Sequence, residues 1–256
     1  MGNHGNSLLF RMTPSENTIA RGKPADYGQE IVKRRFRLTS SLVDLRNKSV
    51  LDFGCGNGAQ TVEFIGSGCR ITAVDIDQRD LDVLKDYLQS NNLNSIVPVR
   101  YGGSTLPLDS GSFDLIVSYE VIEHVQNESQ TLDELYKVLK PGGEMVISVP
   151  NKGWIFETHG ANLPLLPWNR VPFFSWLPHS IHSRYAKARI YKKNEITRLL
   201  TDHRFDILKT VYITAPMDVV KVPWLKSFLR STLFAGDTTT VSILSTSILT
   251  YCRKSK

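Results

Sequence analysis

Two short stretches of the chain hold residues that could do chemistry. In Ser118-Tyr119-Glu120-Val121-Ile122-Glu123-His124-Val125, two carboxylates and an imidazole stand close together. On a helix, Glu120 and Glu123 would be i,i+3 neighbours, and Glu120 and His124 i,i+4 neighbours. Adjacent negative charges repel unless a cation offsets them. Hard oxygen ligands with one nitrogen suit Mg²⁺ or Mn²⁺. A histidine here could also act as a general base, or pack at a helix start. The second stretch is Val50-Leu51-Asp52-Phe53-Gly54-Cys55-Gly56-Asn57-Gly58, an apolar run meeting three alternate glycines. Residues without Cβ allow positive φ and close approach of a ligand. A helix start beyond them would offer free N–H groups. Arg70-Ile71-Thr72-Ala73-Val74-Asp75 ends in an acid about 20 residues beyond the glycines, as a ribose-binding second strand would. Gly54-x-Gly56-x-x-Ala59 also satisfies the loose dinucleotide pattern, so a nicotinamide oxidoreductase fits these residues too.

The elements that must position these groups alternate in type. A helix is expected from Asp26 to about Asp44, carrying the basic cluster Lys33, Arg34, Arg35 and Arg37. A helical stretch from Ala59 to Ile65 should follow the glycines. Residues 78–90 place Leu81, Leu84 and Leu88 on one helical face. Strands are expected at 95–100 and 113–118, the latter after the Asp109-Ser110-Gly111-Ser112 turn. A helix over 128–140 should stop at Pro141-Gly142-Gly143, before a strand over 144–149. Later, 192–200 and 219–233 read as helices, and 205–214 and 239–251 as strands. Alternating strands and helices imply an α/β, doubly wound, mostly parallel sheet with its ligand at the strand C-termini.

The chain has 256 residues, 41% of them hydrophobic, and a net charge of +6. That length suits one domain with an insertion. The charge permits an anionic partner without requiring one. Cys55, Cys69 and Cys252 lack metal-ligand spacing, and so odd and sparse a set points to a reducing, cytoplasmic setting. The first 30 residues hold no signal-like apolar region. No apolar run is long enough to span a membrane, although peripheral membrane contact stays open.

Leu51-Asp52-Phe53-Gly54-Cys55-Gly56-Asn57-Gly58 resembles the first motif of the class I S-adenosylmethionine-dependent methyltransferases. Leu106-Pro107-Leu108, Ser112-Phe113-Asp114-Leu115-Ile116-Val117 and Leu139-Lys140-Pro141-Gly142-Gly143 resemble further segments of that family, in the same order. The resemblance implies a Rossmann-like sheet of seven strands and S-adenosylmethionine as cofactor. It implies cofactor contacts from Asp52, Gly54, Cys55, Gly56, Gly58 and Asp75, with the neighbouring Ile76 and Tyr119. A basic residue before the first strand can meet the cofactor carboxylate, and which arginine does so here is left open. The family's adenine-binding acid is replaced by Tyr101-Gly102-Gly103-Ser104, which leaves Ser104 or backbone groups for that task.

The Glu-x-x-Glu-His arrangement is similar to that of a subset, the O-methyltransferases of ubiquinone biosynthesis and the small-RNA 3′-terminal 2′-O-methyltransferases. There it binds a divalent metal with help from a downstream histidine. Here that implies Glu120, Glu123, His124 and His182, with His159 and His179 as rivals to His182. His124 and Glu123 are the expected catalytic pair. Residues 151–190 are rich in proline and aromatic side chains and break the α/β rhythm after the fifth strand. They are expected to form a lid or substrate wall within a methyltransferase domain spanning 26–256, with 1–25 a mobile tail. A small, partly apolar acceptor (phenol, quinone precursor or lipid) fits that wall. RNA is the alternative acceptor, although no RNA-binding module is recognisable.

Overall fold

Strand β1 (Ser49–Phe53) is buried on both faces, Asp52 included, as suits a central parallel strand. It lies between β2 (Arg70–Asp75) and β4 (Phe113–Tyr119), parallel to both, with Val50 facing Ile71 on one side and Leu115 on the other. β3 (Ile96–Arg100) adds to β2, and β5 (Leu139–Pro150) to β4, again in parallel. β6 (Phe205–Thr214) and β7 (Ser245–Lys254) complete the long strands, giving the order β3-β2-β1-β4-β5-β7-β6. β7 is antiparallel to both neighbours. The two-residue strand Thr238–Thr239 extends the outer edge of β6, so the sheet has eight strands rather than the expected seven. In this computed structural model the described residues are 22–157, 159–162, 167–168 and 172–255, with the side chains of 161, 162, 167, 168 and 179 left aside.

Helices cover both faces. One core layer packs α3 (Glu128–Val138) and α5 (Lys193–Asp202) on the sheet through Leu132, Leu135, Val138, Ile196 and Leu200. The other packs α1 (Glu30–Leu42) and α2 (Gln78–Ser90), the latter through Leu81, Leu84 and Leu88. Asp77 and Asn127 cap α2 and α3 by accepting the backbone N–H groups of Arg79 and Gln130. The order reverses between β1 and β4, and that switch point opens the crevice where ligands bind in such sheets.

Three expectations fail locally. No α-helix follows the glycine loop: Thr61–Phe64 is one 3₁₀ turn, stopped by Gly66 and Gly68, both at positive φ. Lys140–Gly143 does not separate helix from strand. β5 begins at Leu139, and the register shifts between the Phe113–Leu139 and Leu115–Glu144 pairs to absorb those residues. Residues 151–190 are more regular than expected, with a 3₁₀ turn at Phe174–Trp176 and the short α4 (His179–Tyr185). α6 (Pro223–Ser231) lies in the excursion between β6 and β7.

Candidate active site

The glycine loop is fixed by its own backbone. The N–H groups of Gly54 and Cys55 both donate to the Val74 carbonyl, at 2.8 and 3.0 Å. Gly54 has φ +77°, and a Cβ there would come within 2.3 Å of Val121 Cγ2. Gly58 has φ +85° and lies against Leu84 of α2, 2.3 Å from where a Cβ would sit. Asp75, at the end of β2, accepts Gly56 N–H at 2.8 Å on one oxygen and Asp77 N–H at 2.9 Å on the other. A carboxylate oxygen that accepts one N–H group has a second lone pair with which it can accept a ligand hydroxyl.

A cavity of about 850 Å³ opens above this loop. Asp52, Gly54, Cys55, Gly56, Asp75, Ile76, Ser104 and Tyr119 all line it. Gly58 does not, and serves the packing of α2 instead. Asp52 is buried and accepts the Thr61 hydroxyl at 2.6 Å. Burial, and then the charge of Asp75, push its carboxyl up to about 7 against the opposing Thr61 bond. Burial pushes the Cys55 thiol well up, which keeps it protonated and unreactive. The Tyr119 hydroxyl lies 2.6 Å from Thr39 Oγ1, tying β4 to α1.

Three arginines of α1 point in different directions. Arg34 donates to the carbonyls of Thr214, Ala215 and Phe234. Arg37 pairs with Asp237 and Glu30. Arg35 lines the cavity, buried, with its guanidinium 3.1 Å from Glu120. Part of the expected tail also belongs here. Residues 22–26 line the cavity, Asn57 donates to the Ala25 carbonyl at 3.2 Å, and the Tyr27 hydroxyl donates to the Asn57 carbonyl. Pro24 sits where a Gly56 Cβ would meet it at 3.0 Å. Nothing in the composition of 22–27 signals this strap.

The acidic cluster is not helical as expected. Glu120 has φ +58°, and only Ile122–His124 form a 3₁₀ turn. Glu120 is therefore turned toward Arg35 and accepts the Ser148 hydroxyl at 3.1 Å. Glu123 is fully buried, and neither of its carboxylate oxygens accepts a hydrogen bond among the described residues. His159 Nε2 lies 3.6 Å and His124 Nε2 4.0 Å from its Oε1. Burial, and then the neighbouring Glu120 charge, raise the Glu123 pKa well above its usual range. Ligand atoms of Glu123, His124 and His159 lie within 4.8 Å of one another. The two imidazoles meet edge to face at 4.9 Å.

His182 does not join them. Its Nε2 lies 2.7 Å from Glu157 Oε2, both side chains buried. Glu157 Oε1 in turn accepts the His159 backbone N–H at 3.1 Å. His159 thus occupies the place expected of His182, and His182 stands behind it. The side chain of His179 lies outside the described residues, as does that of Trp168. Of 151–190, His159 alone among the described residues lines the cavity. Phe174 packs on His182, and Trp154 on Phe234. The turn carrying Glu123 and His124 is clamped by Arg189, which donates to the carbonyls of Val125 at 2.6 Å and Gln126 at 3.2 Å. Arg189 and Glu157 drew no attention in the sequence, because no motif marks a residue that acts through its neighbours.

The geometry meets its counterparts in known proteins. Residues 51–147 match the family model described as a methyltransferase domain. A ubiquinone biosynthesis O-methyltransferase of Rickettsia conorii is 32% identical over 221 residues, covering 80% of this chain and 71% of that protein. One from Bartonella tribocorum is 30% identical over 180 residues, covering 68% and 66%. Among solved structures, an S-adenosylmethionine-dependent methyltransferase of Methanosarcina mazei superposes with a TM-score of 0.59 at 18% identity, over 85% of this chain and 97% of that one.

Proposed function

The chain belongs to the class I S-adenosylmethionine-dependent methyltransferases, and from that membership we propose that it methylates an oxygen of a small, partly apolar acceptor, with a divalent cation at Glu123, His124 and His159. The acceptor class is a phenol, quinone precursor or lipid, in line with the names of the relatives in Rickettsia and Bartonella. Residues 26–256 would act as one catalytic domain, with 151–190 as its acceptor wall.

The observation that carries the reading is the buried Glu123 carboxylate, without a hydrogen bond among the described residues and facing two imidazoles. A buried carboxyl in that state costs free energy unless something compensates it. A hard cation with mixed oxygen and nitrogen ligands fits that donor set, and Mg²⁺ or Mn²⁺ would supply a Lewis acid for an acceptor hydroxyl. Glu120, held by Arg35, would contribute charge beside this site. The residues around the cavity also fit the cofactor, whose sulfonium supplies an electrophilic methyl group. Asp75 would accept its ribose hydroxyls, Arg35 would face its carboxylate, and Ser104 lies on the wall available to adenine. With the ring nitrogens facing Glu123 engaged as ligands, His124 and His159 would hold the acceptor in place rather than take its proton, which would leave to solvent. Aligning acceptor and methyl can lower such a barrier by roughly 7–11 kcal/mol without further groups.

The test is transfer of labelled methyl to a catechol-type quinone precursor, with and without EDTA. The expected result is transfer that EDTA abolishes and Mg²⁺ or Mn²⁺ restores. His159→Ala should lower kcat more than it lowers S-adenosylhomocysteine affinity. Full turnover in excess chelator, unaffected by Glu123→Gln, would return the cluster to a packing role.

A further inference from the structure

The excursion between β6 and β7 carries a face that the catalytic reading leaves unused. β7 pairs Ser247 with Pro150 of β5 and Ser245 with Thr214 of β6. The excursion therefore leaves the sheet at the end where β5 finishes, the same end as the glycine loop. Within it, α6 has no buried residue. Its inner side rests on the small cluster of Trp154, Ala215 and Phe234 through Leu229. Its outer side shows Trp224 and Phe228, one turn apart and 72% and 57% exposed. Val219, Val222 and Leu233 on the flanks are also exposed, the last by 64%. Single exposed apolar residues need no explanation, but five within one short excursion mark an interaction site.

The charges around this stripe say what covers it. The two acids of the excursion are already engaged: Asp218 with Arg230 at 2.8 Å, and Asp237 with Arg37 and Arg34. Lys221 and Lys226 have no ion pair among the described residues, so the stripe carries uncompensated positive charge. A second basic region lies at the same end of the sheet. Lys152, Lys192 and Lys193 line a cavity of about 680 Å³ with Trp176 and Ser242. An exposed Trp and Phe one helical turn apart, with lysines beside them, is the pattern of a helix lying in a lipid interface. The lysines complement anionic headgroups.

We propose that residues 219–233 are a docking surface for an anionic lipid bilayer, with Trp224 and Phe228 entering the interface and Lys221 and Lys226 facing the headgroups. No described helix is long and apolar enough to cross a membrane, so the contact is peripheral. The excursion is also tied to the cofactor side. Asp218 accepts the N–H groups of Glu30 and Ile31 at the start of α1, the helix that carries Arg35. The surface does not depend on the acceptor assigned above, because its readout is binding rather than turnover.

Flotation of the full chain with vesicles of equal parts phosphatidylglycerol and phosphatidylcholine tests the proposal. The chain is expected to float with these vesicles, and less with phosphatidylcholine alone or at high salt. Trp224→Ala with Phe228→Ala should weaken partitioning about a hundredfold. Lys221→Gln with Lys226→Gln should weaken it about thirtyfold, with the loss confined to the anionic vesicles. Unchanged S-adenosylhomocysteine affinity in all variants would show that the fold is intact. Absence of flotation by the folded native chain, or flotation of the Trp224/Phe228 variant at the native level, overturns the proposal. So does a concentration-dependent dimer that this variant abolishes without any vesicle binding, which would assign the face to a second copy of the chain.

Discussion

The two walls of the crevice are built on opposite principles. The wall proposed to hold the cofactor, from β1 to the start of α2, is mostly backbone: the loop N–H groups go to Val74 O and Asp75, and its glycines make room for Val121 and Leu84. The wall proposed to meet the acceptor, from Tyr119 to His182, is mostly side chain. Glu120 meets Arg35, Glu123 faces His124 and His159, and Glu157 meets His182. A backbone wall cannot be tuned by small substitutions and fails outright when altered. A side-chain wall can be altered one residue at a time, as would suit a surface that meets the acceptor.

The largest expected effect strikes the first wall. Gly54→Ala places a methyl within 2.3 Å of Val121 at a φ of +77°. The left-handed backbone costs about 1 kcal/mol before the clash is counted. Calorimetry should find S-adenosylhomocysteine binding lost in a protein that is still folded but melts lower. Native affinity in this variant would mean that the loop tolerates displacement, and that the contrast between the walls is overstated.

Arg35 joins the walls, and its removal is the next largest effect. Arg35→Ala strips Glu120 of its ion pair and leaves a largely buried carboxylate, which costs about 3–5 kcal/mol in such settings. It should also weaken cofactor binding at least tenfold. Arg35→Lys should recover part of the stability but less of the affinity, because an ammonium lacks the planar fork. If Arg35→Ala changed stability alone, Arg35 would be a partner of Glu120 and nothing more.

Asp52 gives a smaller effect with a defined sign. Its pKa rises from 3.8 to about 7 on folding. Below 3.8 both states hold the proton. As pH rises, the unfolded chain ionises first, so the stabilising contribution present at low pH is lost by the time pH passes about 7. The shift sets a ceiling of about 4 kcal/mol on that loss. Asp52→Asn cannot ionise and still offers Thr61 an acceptor. The stability of the variant minus that of the native protein, measured cofactor-free by urea unfolding, should therefore climb with pH across this range. A flat difference would place Asp52 in a more polar setting than its burial implies.

What was legible in the sequence follows the same division. The glycine loop and Asp75 could be read because a turn demanding positive φ leaves glycines, and a strand end leaves an acid. α2 could be read to the residue because Leu81, Leu84 and Leu88 keep one period. The acceptor wall could not. Glu120 adopts a left-handed backbone that no residue type announces, so the helical spacing assumed for Glu120 and His124 does not exist. His159 and His182 both lie downstream in a segment whose sequence shows little period, and spacing cannot choose between them. Arg34 and Arg35 are both buried, and only the excursion after β6, which receives Arg34, shows that Arg35 is the one left for the cavity.

The smallest expected effect tests how far the acceptor wall depends on its outer supports. Tyr191 is buried and donates its hydroxyl to Glu128 Oε1 at 2.6 Å. The other Glu128 oxygen lies 3.3 Å from Arg189, whose guanidinium holds the turn bearing Glu123 and His124. Tyr191→Phe removes only the hydroxyl and leaves the ring in the core. Glu128 keeps Arg189 and is open enough to solvent for water to replace the lost donor. The cost should therefore stay near 1 kcal/mol, typical of one hydrogen bond whose acceptor finds another partner. Arg189 makes its carbonyl bonds without help from Tyr191, so kcat should fall less than about threefold, in keeping with so small a loss. Thermal unfolding and turnover measured together decide it. A modest loss of stability with a large loss of kcat would mean that Glu128 sets the aim of Arg189, and that the catalytic turn is held by a longer chain of side chains than its direct contacts show.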